Sequence, residues 1–367
     1  MVKFRCERDS LGEAISAAQR AVASRTGALP VLSGLKVAAA DGALELVGSD
    51  LELTIRVRVA AQVDEEGQAV LPAKLFNDIV AKLEAGSVTV ETGDDDAATI
   101  EGGRASYTLR LLPLDDFPHL PDPAGSAITV DAGPLAEALR GVIPAASRDD
   151  ARPILTGVLL TARQNGLRLV ATDSYRLAVR DLEGVSMLAE GQHVLVSAKA
   201  LGEVQRLLTE GEMQVVLSER DVRFSGARGE ITTRLIDGEF PNYEQLIPSG
   251  YPNRLTVARE ALSDAVKRMQ LVGQGRDSSP VRLSMSADGV ELSSTAQEVG
   301  EAHEMVDAKY EGTDLTVAFN AQFLLDGAQA VAGDEVVLEA LDPLKPATLR
   351  AVDKADFMYL LMPVRIS

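Results

Sequence analysis

The chain has 367 residues, 46% hydrophobic and 25% charged, with a formal net charge of −19. That length supports two or three cores of ordinary size, and the apolar share excludes a disordered chain. No apolar run approaches the ~18–20 residues needed to cross a bilayer. The opening MVKFRCERDS lacks the apolar segment of a secretory signal. A single cysteine, Cys6, excludes an internal disulfide framework and suits a reducing cytoplasm, the expected location. His119, His193 and His303 are too scattered for a zinc site, and no cofactor is expected.

In chain order, KFRCE reads as a strand. It is followed by a helix over 10–25, with apolar Leu11, Ile15, Ala18 and Val22 at helical spacing. Ser10 and Glu13 have the spacing of a capping box. Strands are predicted over 31–39, 43–49 and 51–59, separated by the turn signal Asp41-Gly42. A second helix spans 72–84 and ends at Gly86. The strands SVTVET, ATIEG and SYTLRLL follow, then an extended LDDFPHLP. The same order recurs: helices over 134–148 and 198–209 interleaved with strands, closing on IDGEFPNYEQLIP. It recurs again with helices over 259–272 and 320–332.

One stretch is written three times. PVLSGLKVAAADGALELVGSDLELTI starts at Pro30, PILTGVLLTARQNGLRLVATDSYRLAV runs from Pro153 to Val179, and a shorter PVRLSMSADGVELSSTAQEV starts at Pro280. Asp50 and Asp173 are 123 residues apart, and the next step reaches Ala296, which keeps the register without the carboxylate. A period that long marks domains, not solenoid turns. Each third also halves, so six helices each serve a set of strands joined by turns. That pattern predicts an α+β fold of three repeated domains, each with two helices packed on antiparallel sheets. Boundaries fall near 120–127 and 248–253, giving domains 1–121, 127–249 and 253–367.

The negative charge is uneven. The six predicted helices carry eleven basic and eight acidic residues, a net +3, which leaves −22 for the remainder. If the helices share a surface, it is neutral to basic and the opposite one acidic. Helices also favour Lys and Arg as good formers, so the count alone does not decide.

PILTG at 153–157, ATDSYRLAV at 171–179, RLIDGEFPNYEQLIP at 234–248, VAFNAQFLLD at 317–326 and YLLMPVRIS at 359–367 carry a resemblance over the whole length. The chain resembles the beta subunit of bacterial DNA polymerase III, the replication sliding clamp. The resemblance implies a non-catalytic processivity factor. It would be a head-to-tail homodimeric ring that encircles duplex DNA and tethers the polymerase alpha subunit, the clamp loader and other clamp-binding-motif proteins. No membrane association is implied. Twelve helices ~10 Å apart leave a hole ~28 Å across, whereas six leave ~9 Å, too narrow for a duplex. A closed ring needs few phosphate contacts, so a modest basic excess suffices.

The resemblance also implies sites. A peptide-binding cleft would use Leu155, Thr172, Tyr175, Arg176, Leu177, Pro241, Leu246, Asn320, Phe323, Met362, Pro363, Val364 and Arg365. Tyr175 stands where some relatives have histidine. Expected DNA contacts are Arg25, Arg148, Asp149 and Arg152, with Arg20, Arg140, Lys199, Arg206 and Lys267 as helix basics facing the hole. Asp149 replaces a neutral amide of some relatives. The dimer contact would join Lys74, Tyr107 and Leu109 to Leu271, Val272, Glu298, Glu301 and Glu304.

Two other readings stay open from the residues alone. Paired acids such as Asp115-Asp116 suggest an enzyme, yet no His, Lys or second acid recurs beside Asp173, and GQG at 273–275 follows a helix. The other alternative is a multidomain peptide-binding scaffold without DNA.

Overall fold

The computed structural model describes residues 1–23, 29–93, 96–120, 122–207, 210–248, 250–273, 280–296 and 299–365. Its helices are α1 (Arg8–Gln19), α2 (Ala73–Lys82), α3 (Ala132–Val142), α4 (Ala198–Leu207), α5 (Arg259–Val272) and α6 (Ala321–Ala330). Among the described residues every strand pairing is antiparallel, as expected of strands joined by turns. No described helix is long and apolar enough to cross a membrane.

The chain forms two compact units, Met1–Ala132 with Arg206–Leu235, and Gly133–Gln205 with Ile236–Ser367. In the first, α1 and α2 pack together. A five-stranded sheet there ends on the strand Ala105–Arg110. An eight-stranded sheet is continuous because strand Gly229–Arg234 pairs with Leu53–Ala60, Thr233 opposite Leu53. In the second unit, α5 and α6 pack together. Its nine-stranded sheet is continuous because Phe357–Leu361 pairs with Arg176–Glu183, Leu361 opposite Arg176. Its four-stranded sheet ends on Gly300–Val306.

Local chemistry explains the elements. Asp41 and Gly42 take φ of 49° and 72°, the paired left-handed geometry of a tight hairpin. Gly48 lets a helix press on a sheet: a Cβ there would sit 2.1 Å from the Ala18 carbonyl oxygen. The recurrent Asp closes a turn. Asp50 Oδ1 accepts from the amides of Glu52 at 3.1 Å and Leu53 at 2.7 Å. Asp173 Oδ1 does the same for Tyr175 at 2.9 Å and Arg176 at 3.0 Å. Leu51 and Ser174, the matching residues between, both have positive φ.

Several expected boundaries shift. Ser10 lies inside α1, whose N-cap is Glu7. The strand Lys3–Glu7 runs straight into the helix, and Arg8 N–H donates to the Gly86 carbonyl at 2.8 Å, so no capping box forms. α2 ends at Leu83, which turns extended, before Gly86 is reached. The predicted strand start at 31 is a 3-10 turn, Pro30–Ser33, because proline sets its φ and lacks the donor a strand needs. Leu114–Asp116, expected to be extended, is a further 3-10 turn.

Candidate functional site

In the second unit a polar network sits beneath an apolar surface. The turn at Asp173 aims Arg176 inward, and that residue is buried. Its Nε donates to Asp173 Oδ2 at 2.9 Å and its Nη1 to Asp326 on α6 and to Tyr359 Oη at 3.1 Å. Asp326 Oδ1 is held by Gln322 Nε2 at 2.7 Å. The Arg176 guanidinium lies over the Phe323 ring, 4.1 Å from its centroid. Burial pushes the Tyr359 phenol well above its ordinary pKa, opposed by the nearby Arg176 charge. Asn320 caps α6, its side chain accepting from Phe323 N–H at 3.1 Å, which fixes the start of the helix that carries Phe323.

Above this network runs the segment after Leu361. Met362 N–H donates to the Tyr175 carbonyl at 2.9 Å and Val364 N–H to that of Ala318 at 2.8 Å. Met362 and Arg365 are exposed, Pro363 and Val364 half-buried. Leu177 belongs to a core cluster with Leu159, Val170, Tyr243 and Leu360, on which Ile154, Phe240, Ile247 and Met358 pack partly buried. Tyr175 is 61% exposed and Leu246 53%, large apolar surfaces that a folded chain ordinarily covers. Pro241 is exposed as well.

Not all the expected cleft residues present themselves to a ligand. Leu155, Thr172, Arg176 and Leu177 are buried. Thr172 Oγ1 donates to the Arg176 carbonyl at 2.6 Å, so it shapes the turn. Sequence reasoning passed over Asp173, Asp326 and Tyr359 as supports of Arg176, and Ile154, Phe240 and Ile247 as apolar packing. The Asp-x-x-Arg spacing of DSYR was a readable signal for the first, and PILTG and EFPNYEQLIP contain the last three.

Of the expected DNA contacts, Arg25 lies outside the described residues. Arg148 is exposed. Asp149 and Arg152 pair with each other, Arg152 Nε donating to Asp149 Oδ2 at 2.9 Å, and Arg152 Nη1 donates to Ser174 Oγ at 3.2 Å. The Ala151 amide, then Arg152, hold the Asp149 carboxyl below its usual range. This loop therefore touches the turn that exposes Tyr175. Arg140, Lys199 and Arg206 are exposed on their helices. Lys267 is exposed too and pairs with Asp264 at 2.9 Å, while Arg20 Nη1 donates to the Ser16 carbonyl at 3.1 Å.

The expected dimer residues divide. Tyr107 is 40% exposed and Leu271 77%, but Leu109, on the same face of the strand Ala105–Arg110 as Tyr107, is buried. Val272 is half-buried, and Lys74 and Glu301 are exposed. Glu304 is already clasped by Arg268, whose Nε donates at 2.8 Å, so Lys74 does not have it free. That bond holds the Glu304 carboxyl below its usual pKa. Glu298 lies outside the described residues. Leu75 and Met305, exposed at 51% and 59%, were missed.

Three family models match the chain in order. They are the DNA polymerase III beta subunit N-terminal domain over residues 2–121, central domain over 129–242 and C-terminal domain over 244–365. The chain is 37% identical to the Beta sliding clamp of Streptomyces coelicolor, each covered over 100% of its length. It is similar to the crystal structure of the sliding clamp from Bartonella birtlesii bound to griselimycin, at 31% identity and a TM-score of 0.87 with full coverage of both. It is also similar to the C. crescentus beta sliding clamp with PEG bound to a putative beta-motif tethering region. That match has 30% identity and a TM-score of 0.88, covering 100% of this chain and 99% of the other. The chain belongs to the family of DNA polymerase III beta subunits, the sliding clamps.

Proposed function

We propose that two copies of this chain close head to tail around duplex DNA and tether replication proteins to it, as the non-catalytic processivity subunit of DNA polymerase III. The observation that carries this reading is the repeated seam. The fourth strand of one repeat pairs with the last strand of the next twice over, Leu53–Ala60 with Gly229–Arg234 and Arg176–Glu183 with Phe357–Leu361. The corresponding third pair is Gly300–Val306 and Ala105–Arg110, and both strands are sheet edges. An unpaired edge strand is a template for another chain, and here the matching template lies on a second copy.

The repeat supplies the register. By equivalence with the two existing seams, Leu109 faces Gly300 of the second copy, Thr108 faces Glu301 and Tyr107 faces Ala302. Leu271, Met305, Leu75 and Tyr107 contribute apolar burial around that seam. Exposed charge pairs there add only about 0–1 kcal/mol each. The three ring segments of each copy are 1–121, 127–249 and 253–367.

Partner peptides are taken in the second unit, where Tyr175, Leu246, Pro241 and Met362 offer apolar surface and Pro363, Val364 and Arg365 form one wall. Leu155, Leu177 and Phe323 back it, and Thr172, Arg176 and Asn320 hold its shape. A preformed apolar groove with a few polar positioners suits a short linear motif. Arg25, Arg148, Arg152 and the exposed helix basics make weak contacts with DNA, and the place of action is the cytoplasm. Loading onto plasmid tests the whole reading: the chain stays on closed circular DNA and leaves after linearisation. Retention that ignores topology would point to a scaffold instead and reject the ring.

A further inference from the structure

Each third of the chain opens on a strand that leads into its first helix: Lys3–Glu7, Ala127–Asp131 and Asn253–Ala258. In the first and last thirds that strand is paired on both sides. Gln62–Glu65 covers the outer side of Lys3–Glu7, and Ala308–Glu311 covers that of Asn253–Ala258. Each covering strand follows the fourth strand of its third. In the middle third Gly184 turns the chain with a φ of 76° after the fourth strand, and 184–192 forms no strand. Among the described residues Ala127–Asp131 therefore pairs only with Glu212–Leu217 and ends the eight-stranded sheet of the first unit.

The ladder fixes which backbone groups face the open side. Ala132 N–H donates to the Gly211 carbonyl at 2.9 Å, next in register to the pair Asp131 and Glu212. Alternation in an antiparallel ladder then bonds Val130 to Met213 and Ile128 to Val215, and turns the N–H and C=O of Ala127 and Thr129 outward. Ala127 and Thr129 are exposed, Ile128 half-buried and Val130 buried. On the outer face Gln214 Nε2 donates to Thr129 Oγ1 at 2.8 Å. Asp131 and Glu212 stand directly opposite each other, both exposed, and Glu210 is exposed just before them on the second strand. Like charges opposed across a ladder destabilise it, so a cation beside them is favoured. Arg223, two strands in from the edge, is engaged by Asp122 and Glu230.

We propose that the open side of Ala127–Asp131 takes an extended segment of a partner protein as an added strand, one that alternates basic and apolar residues. Outward N–H and C=O groups are a template for another strand, and main-chain bonds supply the affinity. Residues opposite Ala127, Thr129 and Asp131 fall on the outer face, where Asp131 and Glu212 select Lys or Arg. Residues opposite Ile128 and Val130 fall on the inner face and extend its apolar layer. The strand AITVD has neither Pro nor Lys, the residues that guard an edge against pairing. It shares no residue with the strands assigned to ring closure.

The test uses the full chain and, as probe, a capped fluorescent peptide of alternating Lys and Val. Anisotropy should show saturable binding, and amide hydrogen exchange at Thr129 should slow when the peptide is bound. Thr129→Pro removes the outward donor and leaves the bonds to Glu212–Leu217 in place, because that N–H faces away from them. It should weaken the peptide by roughly tenfold or more. Glu212→Lys keeps every backbone group, so it serves even if the proline variant unfolds, and it should weaken the peptide by about fivefold. A peptide alternating Glu and Val should bind less tightly than the Lys and Val peptide. No saturable binding, binding that leaves Thr129 exchange unchanged, equal affinity for the acidic peptide, or an affinity unchanged in both variants overturns the proposal. So does sedimentation showing assemblies beyond the dimer that Thr129→Pro dissolves, with no peptide bound, since that gives the edge to a second copy.

Discussion

The guanidinium carbon of Arg176 lies 4.1 Å from the centroid of the Phe323 ring, and the same guanidinium binds Asp173, Asp326 and Tyr359. A residue that chain order places beside the groove thus stands beneath it, backing an aromatic ring. The cation and the ring face attract each other, and the carboxylates fix the guanidinium plane.

Arg176→Met should therefore act first on stability. It leaves the Asp173 and Asp326 carboxylates without their cation, and removing one partner of a buried pair typically costs about 3–5 kcal/mol. Urea unfolding should show a loss near the lower end of that range, because Asp326 keeps Gln322. Partner-peptide affinity should fall too, as Phe323 loses its support. A variant of wild-type stability would mean the network carries no load.

Removing residues 362–367 deletes the two backbone bonds to Tyr175 and Ala318 and one wall of the groove. Binding of a clamp-binding peptide, read by fluorescence anisotropy, should disappear. Sedimentation should still give the dimer, since the edge strands Ala105–Arg110 and Gly300–Val306 are untouched. Undiminished peptide affinity would place the groove elsewhere.

Ring closure can be checked residue by residue. With Thr108→Cys and Glu301→Cys in one chain, oxidation should link two copies covalently. Directly opposed Cα atoms in an antiparallel pair are ~4.5–5.5 Å apart, within disulfide reach. Thr108→Cys with Ala302→Cys is the out-of-register control and should link poorly, because adjacent side chains point to opposite faces. Denaturing electrophoresis reads the outcome, and efficient linking only in the control would move the register by one.

Tyr359 sets an alkaline limit. Its phenol has a raised pKa in the folded chain, mainly through burial. The stabilising contribution of the neutral form is complete below the ordinary tyrosine value of about 10 and is lost as pH rises from there through the raised value. Stability measured between pH 9 and 12 should fall in the native chain beyond what Tyr359→Phe shows. Parallel pH profiles for the two would remove Tyr359 as the cause.

Periodicity, turn chemistry and internal repetition make much of this protein legible from its sequence. The six helices, the hairpin at Asp41-Gly42 and the threefold recurrence all depend on neighbours in the chain, and local sterics decide them. The repeated Asp is legible for the same reason, since it binds amides only two or three residues on. Helix starts were less so: α1 begins at Arg8 because a carbonyl at Gly86, far along the chain, meets its first amide. Tertiary structure alone decided which way the site residues point. Leu109 is covered while Tyr107 on the same strand face is not, Glu304 is held by Arg268 from 36 residues away, and Arg176 turns inward to Asp326 from 150 residues away. Buried charge needs partners, and a one-dimensional pattern does not say which distant carboxylates will supply them. The repeat determined that the three domains would be built alike. Only the folded sheets showed that Ala105–Arg110 and Gly300–Val306, the counterparts of strands paired elsewhere, lie at sheet edges.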